Sequence, residues 1–299
     1  MLPSWNEGTV KTGIVDFVSR VTREGGKDYL PPARRIAVFD NDGTLWTEQP
    51  MQPQLFFLAD RVKALAAKDP PLAQRQPFKA LLEHDLATLH ALGKKAVMEL
   101  FAATHAGMSE EQFEDLATSW FSSAKHPKFG RLFKECTFQP QVELLGFLRE
   151  NGFRNYIVSG GGIDLIRAFS ADAYGIPREQ VIGSSAKLRF DSATCQLMKE
   201  PQLNSFDDRE AKPQNIGLHI GQRPILAFGN SDGDQAMLRY VRAHPCKGLA
   251  LLLHHDDAAR EVAYDRDFRL SPLTDTLDRA EELGITVVSM KRDWKRVIS

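Results

Sequence analysis

A short apolar run that ends in two acids constrains this 299-residue chain more than any other feature. Residues 36–39 read IAVF, which fits a buried strand, and Asp40 and Asp42 follow with Asn41 between them. Beyond the end of a strand, alternate side chains point the same way, so both carboxylates are expected to enter one crevice. Two acids that close cannot both ionise favourably unless a cation joins them or one keeps its proton. The pair therefore suits a covalent nucleophile and a general acid/base at a site for a hard metal ion.

Outside the middle of the chain, amphipathic helices alternate with short apolar strands. A helix at residues 9–23 precedes the motif strand, and the alternation resumes at Pro140. The pattern after Pro140 predicts helices at 142–148, 163–169 and 212–220 and from Gly233, strands at 155–158, 225–228, 249–253 and 285–289, and a hairpin at 181–198 that turns at Asp191–Ser192. This order favours an α/β fold, namely a Rossmann-like, doubly wound parallel sheet that is covered on both faces.

Residues 54–125 carry a different pattern that is helical throughout. The spacing predicts a first helix from Gln54, a second over residues 78–89, a third around 97–101 and a fourth that Ser109–Gln112 opens as a capping box. A helical block that follows the motif strand directly indicates an inserted, all-helical cap domain. We therefore expect residues 46–137 to form the cap, and residues 1–45 and 138–299 to form the α/β core.

Three more polar signals fall at strand ends or helix starts, where ligand sites of open α/β sheets gather. Ser159 and Gly160 offer a hydroxyl and an amide that suit a phosphate oxygen. Lys212 places a cation at the start of a late helix. The loop Gly229–Asp234 reads GNSDGD and follows a strand, so it clusters the oxygen ligands that Mg²⁺ prefers.

In this combination and order, the signals resemble the haloacid dehalogenase superfamily of hydrolases, specifically its phosphoserine-phosphatase-like members with a helical cap. The resemblance covers nearly the whole chain. It implies that Asp40 is the nucleophile and becomes an aspartyl phosphate, and that Asp42 is the general acid/base and offers its backbone carbonyl to the metal. It further implies that Ser159 and the Gly160 amide hold the transferring phosphoryl group, while Lys212 neutralises charge around Asp40.

The resemblance also implies a Mg²⁺ site in which Asp40 and the backbone carbonyl of Asp42 join the acidic loop. The chain departs from the family here, because Asn230 stands where members typically carry Asp. We expect Asn230 to be the direct ligand with Asp234 in the outer shell, although Asp232 remains an alternative. A neutral ligand removes one formal charge from the shell, so metal affinity should be weakened and Asn230→Asp should lower the Mg²⁺ requirement.

The implied activity is Mg²⁺-dependent hydrolysis of a small-molecule phosphate monoester, and Thr44 is expected to join the phosphate-binding residues. Asp42 argues against carbon–halogen cleavage, because halide needs no proton on leaving. Two alternatives stay open: a degenerate protein that binds phosphorylated ligands without turnover, and a phosphotransferase that passes the group from Asp40 to an acceptor alcohol.

Trp46 and Glu48 stand where the chain enters the helical block. A cationic or amine-bearing substrate could rest on the Trp46 ring and pair with Glu48. Alternatively, Trp46 packs the hinge and Glu48 is solvated. The sequence leaves both interpretations open.

Bulk properties exclude several classes of partner. The formal net charge is -1 and the pI is about 6.7, so neither nucleic acid nor an anionic membrane surface is expected to bind. No apolar run approaches the roughly 20 residues that a membrane span needs. Cys136, Cys195 and Cys246 lack metal-binding spacing and indicate buried or half-buried thiols in a reducing compartment, although one disulfide with a spare thiol remains possible. We expect a cytoplasmic monomer or homodimer, or a periplasmic protein if a leader was removed.

Overall fold

A seven-stranded sheet organises the chain in the computed structural model, which describes residues 1–299 apart from the side chain of Lys94. The strands are β1 (Ile36–Phe39), β2 (Arg154–Gly162), β3 (Val181–Asp191), β4 (Gln196–Ser205), β5 (Leu226–Gly229), β6 (Leu249–His254) and β7 (Thr286–Ser289). Their order across the sheet is β4-β3-β2-β1-β5-β6-β7, and each neighbouring pair is parallel except β3 and β4. The predicted α/β class and its mostly parallel sheet are confirmed.

Helices cover both faces of this sheet. They are α1 (Thr9–Thr22), α2 (Pro53–Ala66), α3 (Phe78–Leu82), α4 (Leu86–His105), α5 (Glu110–Ser123), α6 (Gln139–Glu150), α7 (Ile163–Arg167), α8 (Ser170–Tyr174), α9 (Ala211–Ile220), α10 (Gln235–Arg242), α11 (Asp275–Asp278) and α12 (Met290–Asp293). Alternate residues of β1 divide between two apolar clusters. Ala37 and Phe39 belong to the cluster that includes α1 and α6, whereas Ile36 and Val38 belong to the cluster that includes α9 and α10. The motif strand is therefore buried on both sides.

The elements between residues 46 and 137 are helical, and Ser109 opens α5 with the predicted capping box, but the predicted bounds of the second helix were wrong. The predicted helix over 78–89 ends at Leu82, and its second half lies in the first part of α4, which a kink at Gly93 separates from the predicted third helix. His84 takes the left-handed conformation with φ 54°, which interrupts the helix. Asp85 then caps α4, because its carboxylate accepts from the backbone N–H of Thr88 at 3.0 Å.

Two boundaries after the block also differ from prediction. The predicted helix over 163–169 is α7, which ends at Arg167, and the separate short helix α8 begins at Ser170. The hairpin is longer than predicted, and its connection comprises residues 192–195 while β4 continues to Ser205. Backbone pairing with β3 explains the extension, because Leu203 pairs with Ala186 and Ser205 pairs with Ser185. The polar sequence of β4 hides this strand from a pattern search.

The three cysteines are free, in line with the prediction of unpaired thiols. Cys136 and Cys246 are buried, but Cys195 is exposed in the hairpin connection, where its φ is 55°. In the part of the chain that is described, none of the helices combines the length and the hydropathy that a membrane crossing requires.

Candidate active site

Three parallel strand ends meet where the sequence placed the candidate catalytic groups. β1 lies between β2 and β5, and all three run in the same direction. Asp40 follows β1, Ser159 lies in β2, and Asn230 follows β5. Lys212 comes from the first turn of α9, which belongs to the layer beside these strands. The topology thus brings residues more than 100 positions apart to one edge of the sheet.

A buried lysine joins two carboxylates at this edge. The Nζ of Lys212 donates to Oδ1 of Asp40 at 2.7 Å and to Oδ1 of Asp234 at 2.6 Å, and the lysine side chain is only 3% exposed. Burial raises the pKa of Asp40 well above its ordinary value, and the nearby Asp234 carboxylate raises it further. Burial opposes the charged form of Lys212, but Asp234 and Asp40 more than offset it and raise the pKa of Lys212. Lys212 is therefore a permanent cation between two acids.

Asp42 has a separate environment two residues further on. Its Oδ1 accepts a hydrogen bond from the indole Nε1 of Trp46 at 2.7 Å. Burial raises the pKa of Asp42 to about 7, and the charge of Glu48 contributes in the same direction. An acid that titrates near neutrality can both donate and accept a proton at physiological pH. The two acids of the motif are thus distinguished, because Lys212 contacts Asp40 while Trp46 contacts Asp42.

Ser159 and Gly160 lie at the end of β2, in a segment that several hydrogen bonds fix in place. The Gly161 N–H donates to Oγ of Ser159 at 3.1 Å, and the Ser184 hydroxyl donates to the carbonyl of Gly160 at 2.8 Å. Gln54, at the start of the helical block, accepts from the Gly162 N–H at 2.7 Å. β2 continues to Gly162, so α7 begins at Ile163, as predicted and four residues beyond Ser159.

The expectation that Thr44 helps to bind phosphate requires correction as far as its hydroxyl is concerned. The Thr44 side chain is fully buried, and its Oγ1 donates to Oδ1 of Asn230 at 3.0 Å. Its hydroxyl therefore links the turn after Asp40 (residues 41–46, the motif turn) to the loop after β5, instead of facing a ligand. The same contact occupies one lone pair of the Asn230 oxygen and leaves the other for a second partner.

The two acids of the loop have different partners. Oδ2 of Asp234 accepts from the N–H groups of Asn230 and Ser231 at 2.9 and 3.0 Å, so its carboxylate shapes the loop and orients Lys212. The carboxylate of Asp232 accepts from the N–H groups of Thr274 and Thr276 at 3.1 and 2.9 Å at the start of α11. This arrangement speaks against Asp232 as the alternative metal ligand, because its oxygens cap a helix elsewhere.

Glu48 proves to be neither solvated nor free to pair with a ligand. Its Oε1 accepts from Nδ2 of Asn230 and from the Tyr264 hydroxyl, both at 2.8 Å. Its Oε2 accepts from the Ser271 hydroxyl at 2.6 Å and from Nε2 of Gln52 at 3.2 Å. Burial raises the pKa of Glu48, and the hydrogen bonds from Ser271, Tyr264 and Asn230 oppose the shift. The sequence predicted no role for Tyr264 or Ser271, since both lie in an irregular segment without a motif.

Trp46 is packed among aromatic rings where the chain enters the helical block. Its ring stacks on Phe169 with a centroid distance of 4.4 Å and lies 6.1 Å from the ring of Phe121. With its indole N–H bonded to Asp42 and its side chain buried, Trp46 has no free face for a cationic substrate. The proposed pairing of a cation with Trp46 and Glu48 is therefore not supported by their contacts.

His255 reaches the same turn from the far end of the chain. Its Nε2 lies 2.7 Å from the carbonyl oxygen of Gly43, and its ring stacks on Tyr264. Its Nδ1 lies 3.6 Å from Oε2 of Glu261, whose other carboxylate oxygen, Oε1, accepts from the Thr47 hydroxyl. Because a carbonyl can only accept, Nε2 carries the proton in this contact. The C-terminal part of the chain thus buttresses the motif turn, which no sequence signal indicated.

Gly43 provides the first prediction. Its φ is +73°, and a Cβ at this position would collide with the Asn230 amide and the Glu48 carboxylate. We expect Gly43→Ala to lower the free energy of unfolding by at least about 2 kcal/mol, since backbone strain and displacement of the network add together. Urea unfolding measures this loss, and turnover should fall with it.

Gly146 offers a matched control for that substitution. It lies inside α6, and a Cβ there would meet nothing within 4 Å. Gly146→Ala should therefore raise stability by about 0.5–1 kcal/mol through helix propensity. Equal effects of the two substitutions would contradict the packing described for Gly43.

The donor set at the strand ends fits a hard divalent cation. Among the described residues, Lys212 donates to one carboxylate oxygen of Asp40, while no protein group donates to its Oδ2 or to the backbone carbonyl of Asp42. Asn230 adds a side-chain oxygen that retains a lone pair. Across the described side chains, no group of three or more His, Cys, Asp or Glu residues converges as a metal cluster. A cation here would thus depend on one carboxylate with main-chain and amide oxygens, as Mg²⁺ accepts.

Comparison with known families gives the class of protein that this fold and site define. The family model of haloacid dehalogenase-like hydrolases matches residues 37–239, which is more than half of the chain and runs from β1 through α10. The chain belongs to the haloacid dehalogenase-like hydrolases. No curated protein matches it in sequence.

Solved structures with the same fold are distant in sequence. A conserved protein of unknown function from Anaerococcus prevotii is 19% identical, with 94% of this chain and 91% of that chain covered and a TM-score of 0.56. A protein of unknown function from Bordetella pertussis is 13% identical, with 85% and 98% covered and a TM-score of 0.54. A phosphoserine phosphohydrolase-like protein from Francisella tularensis is 17% identical, with 83% and 99% covered and a TM-score of 0.43. At these identities the first two structures show the fold alone.

Proposed function

We propose that this hydrolase is a Mg²⁺-dependent phosphatase that acts on a small-molecule phosphate monoester through an aspartyl phosphate on Asp40. The observation that carries the proposal is the buried Lys212, which bridges Asp40 and Asp234 beside a second motif acid with a pKa near neutrality. A structural role needs no such concentration of buried charge, because replacing buried ion pairs with apolar side chains is often stabilising. Family membership supports the reaction class.

The first half of the reaction uses both motif acids. A carboxylate oxygen of Asp40 attacks phosphorus, and the bond from phosphorus to the ester oxygen breaks. The protonated carboxyl of Asp42 gives its proton to the departing alkoxide, so an alcohol leaves. The product is an acyl phosphate on Asp40 and a carboxylate on Asp42.

The second half reverses the role of Asp42. Its carboxylate takes a proton from a water molecule as that water attacks the phosphorus of the acyl phosphate. The bond from phosphorus to the Asp40 oxygen breaks, which releases inorganic phosphate and restores both acids. A pKa of about 7 suits a group that must donate in one step and accept in the next.

Charge on the phosphoryl oxygens must be balanced during both steps. Lys212 supplies a fixed positive charge next to Asp40, and Ser159 with the Gly160 amide would donate hydrogen bonds from β2. Mg²⁺, held by Asp40, the Asp42 carbonyl and Asn230, would supply positive charge that lets one anion approach another. Positioned charges of this kind provide most of the catalysis in phosphoryl transfer.

We further propose that residues 46–137 act as a cap over the core formed by residues 1–45 and 138–299. The helical block joins the core through stacked aromatic rings at Trp46 and through Gln54, which binds the N–H of Gly162. Asp40 and Ser159 are both buried, as a closed arrangement would require. Closure would exclude water from the acyl phosphate and select the leaving group.

Phosphate release from p-nitrophenyl phosphate by the purified full-length chain tests the proposal. We expect turnover in the presence of Mg²⁺ and at least a 100-fold loss after EDTA treatment, with recovery when Mg²⁺ is restored. Turnover that persists unchanged in EDTA would contradict the metal requirement. Absence of turnover from folded, Mg²⁺-loaded protein across a panel of small phosphate esters would favour the binding-protein alternative.

The product ratio separates hydrolysis from phosphotransfer. If water is the acceptor, p-nitrophenol and inorganic phosphate form in equal amounts, even when an alcohol such as ethylene glycol is added. A deficit of inorganic phosphate that grows with the alcohol concentration would show transfer to the acceptor. The contacts at Asp40 are the same in both cases, so only the products discriminate.

A further inference from the structure

Glu48 and Asn230 form a buried pair directly behind the motif turn. The two side chains meet at 2.8 Å, and neither is more than 2% exposed. Both lie against Gly43, whose missing side chain makes room for them. Both are close along the chain to the edge of the sheet where Asp40 lies, since Asn230 follows β5 and Glu48 comes eight residues after Asp40.

The Glu48 carboxylate fixes the orientation of the Asn230 amide. A carboxylate only accepts hydrogen bonds, so the amide must present its NH₂ group to Glu48. The Asn230 oxygen is then turned away from Glu48, towards the Thr44 hydroxyl and the motif turn. Without Glu48, the amide could rotate and present nitrogen in place of oxygen.

The second effect of Glu48 is its charge. Asp40, Asp234 and Lys212 together carry a net charge of only one negative unit, and Asn230 adds no charge. Glu48 accepts four hydrogen bonds, from Asn230, Tyr264, Ser271 and Gln52, and such donors stabilise the ionised form. Buried charges are screened by salt far less than exposed ones, so this carboxylate contributes negative potential at the neighbouring donor set.

We propose that Glu48 is a positioning residue for the divalent cation: it holds the Asn230 oxygen towards the cation and supplies from behind it the negative charge that Asn230 lacks. The inference rests on the proposed function, because it concerns the same metal site. It assigns Glu48 to metal affinity, and not to contact with the substrate.

Titration calorimetry of Mg²⁺ into the metal-free, full-length protein tests this role without turnover. Glu48→Gln keeps the size of the side chain and can still accept from Asn230, but it removes the charge. We expect the dissociation constant for Mg²⁺ to rise about 10- to 100-fold, as for other residues that orient metal ligands. The double variant N230D/E48Q returns one charge to the pair and should restore affinity to at least the wild-type level.

Two controls separate charge from packing. Tyr264→Phe removes one donor to Glu48 but keeps its charge, so Mg²⁺ affinity should change less than about threefold. Glu143→Gln makes the same chemical change at a carboxylate that accepts from Ser4 instead, and affinity should not change. A loss in Tyr264→Phe equal to that in Glu48→Gln would overturn the charge argument.

The remaining outcomes are also decisive. Wild-type affinity in folded Glu48→Gln would overturn the inference while leaving the proposed phosphatase intact. If Glu48→Gln fails to fold, N230D/E48Q is compared with the wild-type protein, and an affinity at least tenfold below wild type would overturn it as well. Absence of Mg²⁺ binding by the wild-type protein would overturn both this inference and the metal requirement of the proposed function.

Discussion

Asp40→Asn is expected to abolish turnover while the fold survives. The amide cannot form an acyl phosphate, so the covalent route is lost, and the residual rate should be at least 10³-fold lower than that of the wild-type protein. Asn is nearly the same size as Asp and can still accept from Lys212 through its oxygen. Steady-state phosphate release with Mg²⁺ and p-nitrophenyl phosphate measures the effect.

The stability of the same variant gives an independent check. Asp40, Lys212 and Asp234 are buried together, and the two acids exceed the lysine by one charge. Burial raises the pKa of Asp40, which means that the ionised carboxylate is less stable in the folded state than in the unfolded state. Removing the Asp40 carboxylate leaves Lys212 and Asp234, whose charges are equal and opposite. The metal-free variant should therefore unfold at or above the wild-type unfolding temperature. A large loss of stability would indicate that Asp40 has a structural role.

Asp232→Asn is the matched control for that substitution. Asp232 belongs to the loop after β5, but its carboxylate caps α11 through the N–H groups of Thr274 and Thr276. Its replacement should cost about 0.5–2 kcal/mol of stability and leave turnover within a few-fold of wild type. Retained activity in pure Asp40→Asn, or abolished activity in folded Asp232→Asn, would require the assignment of the two acids to be revised.

Most of the scaffold could be predicted from the sequence. The spacing of apolar residues indicates each helix or strand locally, and the rules of parallel sheets then determine where the strand ends lie. The apolar run before Asp40 predicts a buried strand, and parallel strands must align their carboxyl ends at one edge. Ser159, Lys212 and Asp234 therefore converge near Asp40 without any knowledge of their side-chain contacts. The superfamily resemblance added roles to these positions, and the family match confirms the class.

The contacts behind the motif turn could not be predicted in this way. Glu48 binds Tyr264 and Ser271, which are more than 200 residues away and lie outside regular elements, so neither helical nor strand periodicity marks them. The Thr44 hydroxyl could have faced a ligand or the protein, and only packing decides that it binds Asn230. Side-chain pairings across irregular segments depend on the assembled fold, and this is where the sequence reasoning failed.

Lys212→Met is expected to lower both stability and turnover. Met roughly preserves the volume and the apolar stem but removes the charge, which leaves Asp40 and Asp234 buried without their cation. Breaking a buried pair by removing one partner typically costs about 3–5 kcal/mol. Loss of a fixed positive charge at the phosphoryl group should lower kcat by about 10²–10³-fold in the protein that remains folded. Urea unfolding and steady-state kinetics measure the two effects.

The loss of stability in Lys212→Met should depend on pH, because Lys212 pairs with Asp40. Lys212 lowers the pKa of Asp40, while burial and Asp234 raise it, so removing the lysine raises it further. An acid whose pKa is raised by folding contributes stability at low pH, which is lost as pH rises above its unfolded value of about 4. Relative to wild type, Lys212→Met should therefore be more strongly destabilised at pH 8 than at pH 5. A deficit independent of pH would show that packing, and not charge, is what Lys212 contributes.

Lys199→Met distinguishes a buried lysine at the site from one elsewhere. Lys199 is fully buried and pairs with Asp164, yet it contacts neither Asp40 nor Asp234. Its loss should also lower stability, because Asp164 would lose its buried partner and keep only Arg167, at 3.8 Å. The kcat of the folded fraction should fall far less than in Lys212→Met. If the two variants lose kcat equally at matched stability, Lys212 acts through the fold and not through the charge it places beside Asp40.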